Sequence, residues 1–278
     1  MKKKITVIFY SALFMLALSS VCTAESIRIT PQQGFGAIQR AVNDARSGDA
    51  IIISQGSYRS AEPLKIENKE NIRLIGTGVV NLISTSEMNN VVEIRNSSSV
   101  VFDNLRATHV PAAEGCAGSV LTISNSKHIN VMKSNLNGCG VIGISLSGCK
   151  DVTITENILH NNSYAGIMAS NCENIVISKN RIINNKHTGV IFYSSKKVTL
   201  TSNVFSNNKV KNITSNNTTF AKRERNTPSD VNALESSGNN NSGSNSGSGS
   251  SNNNGENSTN NAWGRNQGGN SNRGDSWN

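Results

Sequence analysis

"NILHNN" at Asn157–Asn162, "NRIINN" at Asn180–Asn185 and "NVFSNN" at Asn203–Asn208 repeat one polar pattern at a step of 23 residues. Four ungapped windows of that length, starting at Val120, Gly143, Gly166 and Gly189, align beneath one another. They read "VLTISNSKHINVMKSNLNGCGVI", "GISLSGCKDVTITENILHNNSYA", "GIMASNCENIVISKNRIINNKHT" and "GVIFYSSKKVTLTSNVFSNNKVK". Five columns are apolar throughout. They begin at Leu121, Ile123, Ile129, Val131 and Leu136, and end in the last window at Val190, Phe192, Val198, Leu200 and Phe205.

Within each window apolar and polar residues alternate, which is the two-residue period of a strand. Short strands repeated at fixed length cannot build separate hairpins with useful cores. Each window is therefore one coil, and stacking pairs every strand with its equivalent about 4.8 Å away. The pattern predicts an all-β fold: a single-stranded parallel β-helix, or solenoid, with regular coils from 120 to 211. "LKIENKENIRLIG" from Leu64 and "VVEIRNSSSVVFDN" from Val91 are earlier, less regular coils. The step from Val91 to Val120 exceeds one coil by 6 residues, placed in the loop "HVPAAEGCAGS", residues 109–119. Asn157, Asn180 and Asn203 are assigned to one tight turn, as a structural ladder. Asn tolerates left-handed backbone, and stacked amides both donate and accept.

The ends differ in composition. Residues 1–24 read as a signal peptide: Lys2–Lys4, an apolar run through Leu18, then "VCTA" before Glu25. Residues 25–220 make the β-helix domain, and residues 221–278 an Asn/Ser/Gly-rich tail with too little apolar surface to order itself. The expected address is exported, periplasmic or secreted, with no transmembrane segment. Loss of Lys2, Lys3 and Lys4 lowers the formal charge from +9 to +6. Such a balance suits an acidic polysaccharide or cell-surface glycan, and the lack of a dense basic patch argues against nucleic acid. Oligomeric state is left open. Cys116 and Cys139 lie 23 residues apart, as do Cys149 and Cys172. Stacked equivalents fall within disulfide reach, so bridges Cys116–Cys139 and Cys149–Cys172 are expected.

"FGAIQRAVNDARSGDAIIISQGSY", residues 35–58, resembles the opening segment of right-handed parallel β-helix proteins of the pectate-lyase-like superfamily. The later coils are most similar to NosD-type periplasmic proteins and to carbohydrate-binding and sugar-hydrolase repeats. The resemblance implies an amphipathic N-terminal helix that caps the stack, here with Ile38, Ala41, Val42 and Ala45 on its apolar stripe. It also implies a ligand groove along the first strand of each coil. One outward column there holds Lys65, Glu93, Thr122, Ser145, Met168 and Ile191; the other holds Glu67, Arg95, Ser124, Ser147, Ser170 and Tyr193. The ligand-groove candidates are Lys65, Glu67, Glu93, Arg95, Thr122, Ser145 and Tyr193. Lys65 should face Glu93, and Glu67 should face Arg95, as cross-strand ion pairs.

Activity is not fixed by this resemblance. The clustered acids of calcium-dependent lyases are missing from these columns, and Asp103 and Asp151 lie elsewhere in their coils. The Asp-Pro-His-Asp motif of alginate epimerases is also missing. The catalytic candidates are Arg95, Glu93, and His109 and Glu114 from the inserted loop, where a base beside a uronate carboxyl could abstract a proton. No metal or cofactor is expected, since His109, His128, His160 and His187 share no column. The leading expectation is a protein that binds or modifies a polysaccharide. The alternatives are a non-catalytic structural or accessory protein of the periplasm or cell surface, and a degenerate polysaccharide lyase-like enzyme.

Overall fold

The structure is a computed structural model describing residues 24–110, 116–138 and 140–227. These belong to the first of two compact units, Met1–Gly238; the second, Asn239–Asn278, lies outside the described residues. The expected signal peptide, apart from its last residue, and most of the expected tail also fall outside them.

The described chain winds as a parallel β-solenoid. Seven strands form one sheet: Leu64–Glu67, Val92–Arg95, Leu121–Ser124, Ile142–Ser147, Ala165–Ser170, Thr188–Tyr193 and Lys211–Asn216. A fourteen-stranded sheet makes the other two faces, joined through the long strands Ala50–Ser60 and Arg73–Ser84. The register is the one the spacing predicts: Ile144 pairs with Leu121 and Ile167, and Ile167 pairs with Val190. Period-two alternation sends these columns inward, where they are buried. Each such aliphatic side chain contributes about 1.5–3 kcal/mol on leaving water. Among the described residues no helix is long and apolar enough to cross a membrane.

Helix α1, Gly34–Asp44, closes the amino end and buries Phe35, Ala37, Ile38, Ala41 and Val42. It also meets the free edge of the first strand of the seven-stranded sheet. Gln39 Nε2 donates to the Lys65 carbonyl at 2.9 Å, and Lys65 N–H donates to Gln39 Oε1 at 2.8 Å. One side-chain amide thus stands in for the peptide group of a neighbouring strand and blunts that edge. Lys69 Nζ donates to the Asn43 and Ala45 carbonyls at 2.6 and 3.1 Å, completing acceptors at the helix C-terminus.

The corners follow a two-residue rule: a residue in left-handed backbone, then a buried side chain that bonds to the next coil. Asn157 Nδ2 donates to Asn180 Oδ1 at 3.1 Å, Asn180 Nδ2 to Asn203 Oδ1 at 3.0 Å, and Asn203 Nδ2 to Asn226 Oδ1 at 3.0 Å. The same oxygens accept the main-chain N–H of Asn157, Asn180 and Asn203. The second amide group donates inward as well, from Asn180 Nδ2 to the Ile154 carbonyl at 2.8 Å. The ladder is therefore present, but the expected reason needs correction. Positive φ falls one residue earlier, at Glu156, Lys179 and Ser202. Asn is needed at 157, 180 and 203 for its reach and its dual bonding, and the turn itself is made by its neighbour. A second ladder runs through Asn162, Asn185 and Asn208, each amide 2.9 Å from the next, after left-handed Asn161, Asn184 and Asn207. Gly166 stands beside it because a Cβ there would lie 2.8 Å from the Gly189 carbonyl and 3.1 Å from Asn185 Nδ2.

The third corner corrects the cysteine expectation. Its buried column runs Ser97, Ser126, Cys149, Cys172, Ser195. Each serine donates to the carbonyl two residues back, as Ser97 does to Arg95 and Ser195 to Tyr193. The thiols do the same: Cys149 Sγ donates to the Ser147 carbonyl at 3.4 Å and Cys172 Sγ to the Ser170 carbonyl at 3.2 Å. Cys172 Sγ also accepts the Cys149 N–H at 3.4 Å. Cys149 and Cys172 are free, because each sulfur fills a serine's place and is turned to a carbonyl. The side-chain interaction with the Cys149 thiol and burial both push the Cys172 thiol pKa up, against the lowering effect of the Cys149 N–H. Of the other expected bridge, Cys116 is buried and Cys139 lies outside the described residues.

The stack also runs past the expected limit at residue 220. Strands Lys211–Asn216 and Phe220–Glu224 add a coil in which two inward columns turn polar, Ser215 pairing with Phe192 and Arg223 with Leu200, while Ile213 keeps the Val190 column apolar. Phe220 packs edge-on against Phe192 at 5.5 Å, with the Arg223 guanidinium 5.8 Å from the Phe220 ring centre.

Asn180→Leu and Asn203→Leu should each cost about 1–3 kcal/mol, because each leaves buried groups of its neighbours unpaired. Asn226→Leu at the last rung should cost less, and denaturant unfolding of the three variants compares them. Cys149→Ser with Cys172→Ser should change unfolding by less than about 1 kcal/mol, since the hydroxyl replaces the thiol bond for bond. Non-reduced peptide mapping should find both thiols open to alkylation after unfolding. Truncation before Lys211 bares Phe192 and Leu200 and should lower Tm, whereas truncation after Thr227 should leave it nearly unchanged.

Candidate functional site

The outer face of the seven-stranded sheet carries two aligned columns. Lys65 pairs with Glu93 and Glu67 with Arg95, and the rows continue through Thr122 and Ser124 to Ser145 and Ser147. They end on Met168, Ile191 and Thr214 in one column and Ser170, Tyr193 and Asn216 in the other. Register alone brings these residues together, because equivalent Cβ atoms of successive coils superpose.

At the charged end the expected Glu67–Arg95 pair is present, but Glu93 pairs with Arg95 and not with Lys65. Arg95 Nη2 lies 2.8 Å from Glu93 Oε2 and its Nε 3.9 Å from Glu67 Oε1. Glu93 sits two residues before Arg95 on the same face, so the planar guanidinium fork reaches both acids and Lys65 is left out. Glu93 is only 6% exposed despite its outward position. Asn90 explains this: its Nδ2 donates to Glu93 Oε1 at 2.7 Å while its Oδ1 accepts the Ser119 N–H at 2.8 Å. Asn90 and the end of the inserted loop thus form a wall over the acid. The result is a fixed array of Glu67, Arg95, Glu93 and Asn90, with half of the Arg95 side chain open to solvent.

The other catalytic candidates are not on this floor. His109 is 4% exposed, and its Nε2 lies 2.8 Å from the Asn89 carbonyl. A carbonyl only accepts, so Nε2 carries the proton and Nδ1 is the unprotonated nitrogen, buried without a partner. Burial holds the pKa below the ordinary imidazole value, against an opposing contribution from the Asn89 bond. His109 is a buried residue rather than an exposed base. Glu114 lies outside the described residues. Asp103 and Asp151 sit on strands Val101–Asp103 and Lys150–Thr155 of the other sheet. Among the described residues no group of three or more His, Cys, Asp or Glu side chains is placed to hold a metal ion.

The opposite end is apolar and aromatic. Ile191 is 2% exposed and Tyr193 is 40% exposed, on the same strand. At the opposite end of that strand, just before Thr188, the ring of His187 stacks on Tyr164 of the preceding coil, with centroids 4.7 Å apart and planes 27° from parallel. His187 Nδ1 is anchored 2.8 Å from Thr188 Oγ1. Sequence reasoning weighed His187 only as a metal ligand. The missed signal was its spacing of 23 from Tyr164, which makes the two aromatic rings neighbours on successive coils. Between the two ends, Thr122, Ser124, Ser145, Ser147 and Ser170 lay a floor of short hydroxyl side chains.

Where the face meets α1 there is a cleft of about 920 Å³, lined by residues that include Phe35, Gln39, Arg59, Glu62, Lys65 and Glu67. Nothing in the sequence columns marks it, because it depends on where the helix stands.

Among curated proteins no sequence relative matches this chain. In fold the chain is similar to ORF18 of Geobacillus virus E2, with a TM-score of 0.54 at 15% identity over 69% of this chain and 50% of that one. It thus spans half the length of the viral protein. It is also similar to a polygalacturonase from Erwinia carotovora ssp. carotovora, with a TM-score of 0.55 at 13% identity over 71% of this chain and 69% of that one. A glycosyl hydrolase candidate from Parabacteroides merdae matches with a TM-score of 0.50 at 14% identity over 64% of this chain and 90% of that one. At such identities the likeness concerns the fold alone. Residues 45–272 match the family described as the right handed beta helix region, and the chain belongs to that family.

Proposed function

We propose that this protein binds a polysaccharide along the outer face of its seven-stranded sheet. The observation that carries the reading is the linear order of that face: an open charged array, a hydroxyl floor, then the exposed ring of Tyr193, aligned strand by strand. A sugar polymer offers hydroxyl edges and apolar C–H faces in alternation, and such a track meets both. Arg95 presents its remaining N–H donors to hydroxyls or carboxylates, while Tyr193 and the Tyr164–His187 stack offer flat apolar surface. The likeness in fold to a polygalacturonase supports a carbohydrate partner. Arg95 engages both acids of the face, so the cluster serves as a fixed hydrogen-bonding array, and binding is favoured over cleavage. An acidic polymer is drawn by the overall positive charge, and export through residues 2–24 places the protein where such polymers occur.

On a glycan array the protein should retain polymers, and polygalacturonate should be among them. Arg95→Ala and Tyr193→Ala should each weaken that binding by roughly fivefold to tenfold, about one good interfacial contact. Salt should weaken the acidic polymer more than a neutral one. Arg95→Ala also frees Glu93 and Glu67, so its unfolding is measured beside its binding. Retention of no polymer by the wild type would defeat the proposal.

A further inference from the structure

The cleft at the α1 end closes one end of the track. Lys65 and Glu67 belong to the edge strand of the seven-stranded sheet and also line the cleft. Beyond that edge stands α1, pinned to the Lys65 main chain by both groups of the Gln39 amide. A polymer that follows the face toward this end meets the helix and cannot continue. Its terminal unit would fall into a cavity of about 920 Å³, within the range of small-ligand sites.

The charges of the lining are not balanced among themselves. Glu67 is turned to Arg95, and Lys69 is committed to the carbonyls at the end of α1. Among the described residues the Arg59 and Lys65 side chains take part in no ion pair, and both are exposed. Glu62 is the remaining acid, so two cations face one uncommitted carboxylate. Phe35 and Pro63 supply an apolar wall. A pocket with a surplus cation, an apolar wall and a blind back is matched by one sugar unit that bears a carboxylate.

We infer that this cleft seats the anionic end unit of the glycan, with Arg59 and Lys65 as its charge partners. The inference rests on the reading of the face as a glycan track, and it adds a direction. Arg95, compensated by two carboxylates, reads hydroxyls along the chain, and the cleft reads the charge at its end.

Digalacturonate is the probe, because it is too short to need the aromatic end. Its affinity for the full-length protein is measured by calorimetry, beside digalacturonate whose carboxylates have been reduced to alcohols. The expected result is binding of the acid form that falls at least tenfold in Arg59→Gln/Lys65→Gln and is unchanged in Lys209→Gln, an exposed cation away from the cleft and the face. The reduced form should bind equally weakly to wild type and double variant. If digalacturonate does not bind, or binds the double variant as well as wild type, the inference is overturned. Polymer binding and its loss in Tyr193→Ala are scored separately, so the track reading can stand when the cleft falls.

Discussion

Everything in this fold depends on how the interior corners are satisfied. A solenoid coil must turn sharply three times, and at each turn main-chain N–H and carbonyl groups face the core where water cannot reach them. Asn180 shows the solution. Its oxygen accepts the main-chain and side-chain N–H groups of Asn157, while its own amide reaches Asn203 and the Ile154 carbonyl. A buried group left unpaired costs about 1–3 kcal/mol, a sizeable share of the stability of any domain. The ladder works only when successive coils have the same length, so the corners, as much as the apolar columns, hold the repeat at 23 residues.

That constraint divides the sequence into fixed and free positions. Inward columns and corner residues are bound to their equivalents above and below, whereas outward columns are held in place but not in identity. The seven-stranded face therefore changes from Glu67 and Arg95 to Ser147 and then Tyr193 with no change in backbone. Function can be written on that face without disturbing the stack. The exception is Glu93, whose burial under Asn90 and Ser119 couples the charged array to the inserted loop.

Much of this was legible because columns of Ile, Val and Leu at a fixed step have one structural meaning. What the residues did not reveal has physical causes. Asn suits both a left-handed turn and a buried ladder, so its column could be found while its role was placed one residue off. The step between Cys149 and Cys172 gives their backbone separation, but not that each sulfur is turned to a carbonyl as serine is in adjoining coils. The last coil was cut short because Ser215 and Arg223 break the apolar columns that defined a coil. Lys65 was expected to pair with Glu93 because charge complementarity was read only across strands, whereas Arg95 reaches Glu93 along its own strand.

The two ends of the stack are finished by different means, and this gives the face a direction. At the amino end a whole helix stands across the strand edge, with Gln39 imitating a peptide, and a cleft opens beside it. At the other end no helix follows within the described residues; Phe220 packs on Phe192 with Arg223 over its ring, and Ser215 and Arg223 replace two of the apolar columns. A ligand lying along the sheet would meet the helix at one end and, within the described residues, no helix at the other. The charged array lies next to the helix and Tyr193 toward the other end, so binding energy from stacking at Tyr193 would hold a chain whose end is read in the cleft. The asymmetry is a consequence of how a solenoid must be closed: the helix that shields an unpaired strand edge also creates the recess a chain end would occupy.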